Sequence, residues 1–454
     1  MSKRGFAFFA MIIAVCILFS GCNMTLLSTE ELIRPPKLSG ENSFLQEAFE
    51  RTVKSDTVQM KSPIKGDNRS SYVITDIDYD GNDEALVFYS DYSVDEFAHV
   101  AVFKNDGKLW KNVSILTGAA EEIYSVSFND VNGDGKKEIL ISWTSLNPES
   151  ASNETLTLVG NRILTLYTFN GAGMTLQKTE HFTEMYVSDF NGDGSEDIFL
   201  STVNISYDSN RTIGRIIQFD ENSFVKYDES FSLIGMLDVL SIVSDSVVKE
   251  GKKYTRIYVD GILSDAAFVT DVVEFDCKDE TVNLPIHINN SETPPTARTN
   301  KIYSCDINSD GIIEIPTLQE LPYGRRINPD AEEPTQIYLV VWSNISDDDL
   351  EFVFKCIYNK AQNYYFIFDE EWIGQITVVY NSNNDLLAFY EVDEDGELGD
   401  KLFSIKTFSS AAWNENSYGF ERLLATDAYI YGYTLDNSDR ISKQDIQNSF
   451  VVMS

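Results

Sequence analysis

Four nine-residue acidic segments that align position by position constrain this chain more than any other feature. They are Asp76-Ile-Asp78-Tyr-Asp80-Gly81-Asn82-Asp-Glu84, Asp130-Val-Asn132-Gly-Asp134-Gly135-Lys136-Lys-Glu138, Asp189-Phe-Asn191-Gly-Asp193-Gly194-Ser195-Glu-Asp197 and Asp306-Ile-Asn308-Ser-Asp310-Gly311-Ile312-Ile-Glu314. Their first residues lie 54, 59 and 117 positions apart. The last gap is about twice the others, so one repeat has lost its loop; around Asp238 to Asp245 there are strand-forming residues and scattered acids but no intact motif. Self-similarity at a fixed period means an array of like units, each too small to bury its own core.

A second feature interleaves with the first. Phe103, Phe169, Phe219 and Phe275 each close an apolar run that enters an Asn-, Asp- or Gly-rich turn, at spacings of 66, 50 and 56 residues. Such runs read as a strand entering a tight hairpin. Each repeat is then strand, acidic loop, strand and hairpin: four strands in about 57 residues, the content of one propeller blade. The fold class expected is mainly β, a propeller of five to seven four-stranded blades over residues 46–333. The periodicity fades near Pro334, and residues 334–454 carry strand-like runs such as Tyr364–Phe368 and Ile376–Tyr380. They are expected to form a smaller β-rich or α+β domain, with a last blade or two as the alternative.

The loops carry the chemistry. Oxygen side chains at positions 1, 3 and 5 converge when a chain curls, Gly at position 6 permits the turn, position 7 offers a carbonyl and position 9 closes the shell. Calcium, a hard cation that takes six to eight oxygens, fits that donor set. The expected ligands are Asp76, Asp78, Asp80 and Glu84; Asp130, Asn132, Asp134 and Glu138; Asp189, Asn191, Asp193 and Asp197; and Asp306, Asn308, Asp310 and Glu314. Asn82, Lys136, Ser195 and Ile312 would contribute backbone carbonyls. About four Ca²⁺ sites follow, and the thirteen carboxylates they gather repel one another without a cation. An EF-hand is excluded: it needs Glu at position 12 and flanking helices, whereas position 12 is Val87, Ile141, Leu200 and Thr317 and the flanks are strand-like. A calcium loop between two blade strands resembles the FG-GAP repeats of integrin α-chains and the related bacterial VCBS proteins. That resemblance covers roughly residues 60–330 and implies a calcium-bearing propeller engaged in adhesion or ligand binding.

The N-terminus reads as a targeting segment. Lys3 and Arg4 precede an apolar run from Phe6 to Phe19, too short for a membrane span of about 20 residues. It ends in Leu18-Phe19-Ser20-Gly21-Cys22, which resembles a bacterial lipobox. In that family the cysteine is diacylated and becomes the first mature residue, which implies a signal peptide at 1–21, a lipid-anchored tether at 22–45, membrane lipid as a partner of Cys22, and an extracytoplasmic location. A net charge of −37 repels phosphate backbones and excludes nucleic acid as a partner. Cys277, Cys305 and Cys356, an odd number without metal-site spacing, are expected as free thiols, with one disulfide the alternative. His99, His181 and His287 sit in no metal or triad motif, and no nucleophile-elbow, zinc-protease or phosphate-loop signature is present. The reading is therefore a non-catalytic surface module that binds a protein or glycan. An exported hydrolase of polysaccharide or peptide is the alternative, since paired carboxylates hide easily among 72 acids; a structural envelope component is another.

Overall fold

The computed structural model describes residues 42–107, 109–144, 162–205, 210–222, 224–286, 293–327, 334–346, 348–393 and 396–453. Cys22 and the targeting segment lie outside these, as does His287. Helix α1 (Asn42–Thr52) precedes a five-stranded first sheet of β1 (Val58–Met60), β2 (Tyr72–Thr75), β3 (Glu84–Asp91), β4 (Ala98–Asn105) and β5 (Trp110–Thr117). The second sheet comprises β6 (Glu122–Asn129), β7 (Glu138–Thr144), β8 (Arg162–Phe169) and β9 (Met174–Phe182). The third holds β10 (Glu184–Ser188), β11 (Asp197–Ile205), β12 (Asn210–Phe219) and β13 (Val225–Leu233). The fourth holds β14 (Asp238–Lys249), β15 (Lys252–Ser264), β16 (Ala267–Asp276) and β17 (Thr281–Asn283). Sheets two to four are antiparallel meanders in chain order.

Burial follows position within each meander. β3 and β7 are apolar through most of their length and buried on both faces, as a strand between two packed layers must be. The fourth strands β9 and β13 are mostly exposed and carry charged residues such as Lys178, Glu180, Lys226, Asp228 and Glu229, which keeps an exposed edge from pairing with other chains. The first strands β6, β10 and β14 are mostly half-buried and face a shared cavity. Phe103, Phe169, Phe219 and Phe275 all stand at the end of the third strand of their sheet and are buried.

Successive sheets pack face to face. Leu86, Phe88 and Val100 of the first meet Ile139, Ile141 and Trp143 of the second. Leu164 and Leu166 meet Ile198 and Leu200, then Phe199 and Ile216 meet Ile257 and Val259. Tyr258 and Val272 continue to Ile315 and Ile345. The other face of the first sheet is covered by α1 through Leu45, Ala48 and Phe49.

The fifth sheet has ten strands: β18 (Ile315–Ile327), β19 (Thr335–Ser346), β20 (Asp349–Asn359), β21 (Tyr364–Ile367), β22 (Ile376–Asn381), β23 (Leu386–Val392), β24 (Leu398–Phe408), β25 (Glu421–Ala425), β26 (Ile430–Leu435) and β27 (Phe450–Val452). Helices α2 (Ser410–Asn416) and α3 (Lys443–Ser449) lie between its last strands. β18 pairs antiparallel with β19 and parallel with β22, so strands from both sides of residue 334 share one sheet. Its core is aromatic: Tyr364, Phe366, Phe389, Phe403 and Tyr431 are all buried. The mainly β class is what the repeats imply; the ten-stranded sheet is not.

Candidate functional site

Each acidic loop joins the first strand of a unit to the next: β2 to β3, β6 to β7 and β10 to β11, with the fourth loop between the isolated bridge residue Cys305 and β18. One hydrogen-bond pattern holds all four. The position-1 carboxylates of Asp76, Asp130, Asp189 and Asp306 accept from the position-6 glycine amides at 2.9–3.0 Å. Asp80, Asp134, Asp193 and Asp310 accept from the amides of Asn82, Lys136, Ser195 and Ile312 at 2.8–2.9 Å. Glu84, Glu138, Asp197 and Glu314 accept from the position-2 amides at 2.8–3.2 Å. Position 6 has φ of 84–95°, and a Cβ there would meet nothing within 4 Å; backbone conformation, not space, selects glycine. Position 4 is also left-handed, at Tyr79 (54°) and Ser309 (62°) as at Gly133 and Gly192, a strain the sequence pattern did not reveal.

The first loop differs from the others. Asp76, Asp78 and Glu84 bring ligand oxygens within 4.8 Å of one another, the one such cluster among the described residues. The buried Oδ1 atoms of Asp76 and Asp78 have no hydrogen-bond partner, and Glu84 Oε1 has only the Lys104 ammonium at 3.5 Å. Lys104 reaches from β4 to Asp78 Oδ2 (2.9 Å) and Asp80 Oδ2 (2.7 Å), and holds the Asp80 carboxyl down at about 2. In the other loops position 3 is Asn, whose amide carries part of this load. Asn132 donates to Glu138 (3.1 Å), Asn308 to Glu314 (3.3 Å) and Asp310 (2.9 Å), and Asn191 to Asp193 (2.9 Å). Glu138, Asp197 and Glu314 are at most 3% exposed. Burial, reinforced by neighbouring loop carboxylates, pushes each up to about 7. Buried acids with raised pKa and converging unpartnered oxygens fit a hard cation, which would favour their ionised form.

The loops also join one sheet to the next. Lys137 in the second loop donates its amide to the Ile77 carbonyl of the first (3.4 Å), and Glu196 in the third donates to the Asp130 carbonyl of the second (2.9 Å). Thr255 of β15 donates to the Phe190 carbonyl of the third loop (2.7 Å). The fourth sheet has no acidic loop, and there the Asp245 carboxylate receives the Ile313 amide of the fourth loop (2.8 Å).

At the opposite ends of the first strands lies a second group of residues that sequence reasoning missed. A cavity of about 630 Å³ runs along β6, β10 and β14, with residues 65–68 on its rim. Glu184, the first residue of β10, holds Lys65 Nζ on Oε1 and Arg162 on Oε2, both at 2.9 Å. The Arg162 guanidinium stacks 3.8 Å from the centre of the Tyr124 ring, and Lys65 lies 5.6 Å from it. The Lys65 amide donates to the Tyr124 carbonyl (2.8 Å), which fixes the rim segment to β6. Asp238, starting β14, feels the charges of Arg162, Glu184 and Lys301. Three sheets supply these groups, so no local motif announces them. Of the expected inert residues, His99 is buried, bonded to Asp95 (3.0 Å) and stacked on Tyr89, and the three cysteines are free.

A protein-family model described as rhamnogalacturonan lyase family 11, C-terminal domain, matches residues 97–226. The stretch runs from β4 through β12, with the second and third acidic loops, and contains Tyr124, Arg162 and Glu184. This match overturns the resemblance to FG-GAP and VCBS repeats and to integrin α-chains, and lends no support to the bacterial lipoprotein resemblance. Asp-Gly loops report what a turn can ligate, and unrelated families can share that chemistry. It overturns equally the reading of a non-catalytic adhesion or binding module, because the matching family is named for an enzyme. No curated protein matches the chain. Among solved structures, a hypothetical protein from Leishmania major is 12% identical over 69% of this chain and 94% of its own (TM-score 0.21). A GH43 β-1,3-galactosidase is 11% identical over 78% and 74% (0.23). A mannose phosphorylase from Leishmania mexicana is 11% identical over 72% and 92% (0.24). Likenesses at such TM-scores carry no argument about this chain.

Proposed function

We propose that this protein is an exported enzyme that cleaves an acidic polysaccharide, a rhamnogalacturonan or a related polyuronate, by elimination. The family match over residues 97–226 carries the reading. It spans two of the three strands that line the cavity, along with the Tyr124–Arg162–Glu184 cluster at the cavity's end. Elimination in a uronate removes the C5 proton, forms a C4–C5 double bond, breaks the C4–oxygen bond and returns a proton to the leaving oxygen. Tyr124 and Glu184 are the proton-handling side chains of the cluster, each held against Lys65 and Arg162.

The scaffold belongs to the same proposal. Four small sheets and the start of the fifth follow one another as propeller blades, and the first strands of the second, third and fourth line the cavity. Calcium, held by Asp76, Asp78 and Glu84 and by the equivalent side chains of the other loops, would cancel repulsion and tie adjacent blades together. Its part here is structural.

The test is incubation of purified protein with polygalacturonate, rhamnogalacturonan and a neutral galactan, following chain length by size-exclusion chromatography. Shortening of an acidic polymer with the galactan left intact is the expected outcome. If all three polymers keep their length, the reading fails.

A further inference from the structure

The cavity has two different ends. Its loop end is bordered by Asn129 and Lys137, and at its other end Lys65, Glu184 and Tyr124 line the wall, with Arg162 paired to Glu184 and stacked on Tyr124 and with Asp67 on the rim. From Tyr124 to Asn129 along β6 the two ends stand about 17 Å apart, at about 3.4 Å per residue, more than a Debye length at physiological salt. In a chain of net charge −37 a lysine and an arginine held side by side at a cavity wall are a place where a single carboxylate of a polyanion meets attraction.

We propose that Lys65 and Arg162 form the subsite that receives the carboxylate of an acidic sugar unit, entering from the cavity end opposite the loops. The assignment rests on the polysaccharide reading above and adds to it the place, the direction of entry and the residues. The geometry suits a carboxylate. Glu184 already occupies both cations with one oxygen each, which shows that they lie a carboxylate's width apart. Arg162 is held flat on Tyr124 and is fastened behind by the Thr183 carbonyl, so its guanidinium is pre-organised. Lys65 is half exposed, free to swing from Glu184 to an incoming acid. Besides handling the proton, Glu184 thus competes with the ligand for the same cations.

The experiment is calorimetric titration of the full chain, in calcium, with a saturated oligogalacturonate and with a neutral galactose oligomer of equal length. The acid should bind at least about tenfold more tightly, the worth of one charge-assisted hydrogen bond. Lys65→Met and Arg162→Met should each weaken acid binding by about tenfold and leave the neutral oligomer unchanged; Arg162→Lys should recover part of the loss. Glu184→Gln should tighten acid binding, the opposite of what a merely structural role gives. Lys137→Met removes a positive charge at the loop end of the same cavity and should leave acid binding within about twofold, as a charge shielded beyond the Debye length. Melting curves establish that each variant is folded. If Lys65→Met and Arg162→Met bind the acid like the wild type, or if Lys137→Met causes the loss, the subsite is elsewhere. A wild type that shortens acidic polymers while those two variants shorten them equally well overturns the subsite and spares the proposed function. A wild type that neither binds nor shortens any acidic saccharide overturns both.

Discussion

The third and fourth sheets reach the same four-stranded meander by different routes. In the third, β10 and β11 are short and joined by the nine-residue loop Asp189–Asp197. In the fourth, β14 and β15 run 12 and 13 residues and meet in a two-residue turn, Glu250 and Gly251, both with positive φ. The plain turn suffices to make the sheet, so hairpin formation is not what the acidic loops are for. What the fourth sheet must replace is the junction to its neighbour: where the second and third sheets' amides meet loop carbonyls, Asp245 offers a carboxylate to Ile313. The acidic loops are therefore best understood as clamps between sheets that a cation can tighten, and the fourth sheet is the internal control.

The largest effect expected from this contrast is calcium dependence. Excess calcium over chelator should raise the melting temperature by many degrees, since each site filled at about a hundred times its Kd contributes roughly 2.7 kcal/mol. Next comes Asp189→Ala, which frees the amides of Gly192 and Gly194 as well as removing a proposed ligand. Urea unfolding in calcium should show a loss of roughly 2–3 kcal/mol. Gly251→Ala in the plain turn should cost about 1 kcal/mol, and equal costs at the two sites would erase the distinction.

A pH series sharpens it further. The folded protein holds Glu138 at about 7 against an ordinary 4.5. In chelator its contribution is fully present below pH 4.5 and is lost as pH rises through about 7. Glu138→Gln should flatten that fall by roughly 1–3 kcal/mol when melts in chelator are compared between pH 5 and 8. In calcium the sign reverses, because the cation needs the carboxylate. The smallest effect belongs to Asp245→Asn, which keeps an acceptor for Ile313 and should cost under about 1 kcal/mol. That cost should be the same with calcium or chelator; a calcium-sensitive Asp245 variant would mean the fourth sheet is clamped like the others.

Much of the repeat architecture was legible. The acidic loops mark where first strands end and second strands begin, and Phe103, Phe169, Phe219 and Phe275 mark the ends of third strands, because turns and periodic burial are local properties of a sequence. Even the lost loop near Asp245 could be located by the surviving Phe219 and Phe275. The ten-stranded sheet was not legible, since the parallel pairing of Arg325–Ile327 with Val379–Asn381 joins distant segments without any local signature. The candidate site divides the same way. The placement of the loop carboxylates follows from spacing, and Lys104 could have been noticed directly after Phe103, where the other repeats have Asn170, Asp220 and Asp276. Lys65, Tyr124, Arg162 and Glu184 acquire meaning only when three sheets stand side by side, and that is why the sequence read as a non-enzyme.

The most direct test of the account is the chemical structure of the ends left on an acidic polysaccharide after incubation with the wild-type protein in calcium, read by ultraviolet absorbance and mass spectrometry. Unsaturated uronide ends, formed more slowly by Arg162→Met at low polymer concentration, are predicted. A polymer recovered intact would contradict the account, and cleaved ends carrying added water would replace elimination with hydrolysis.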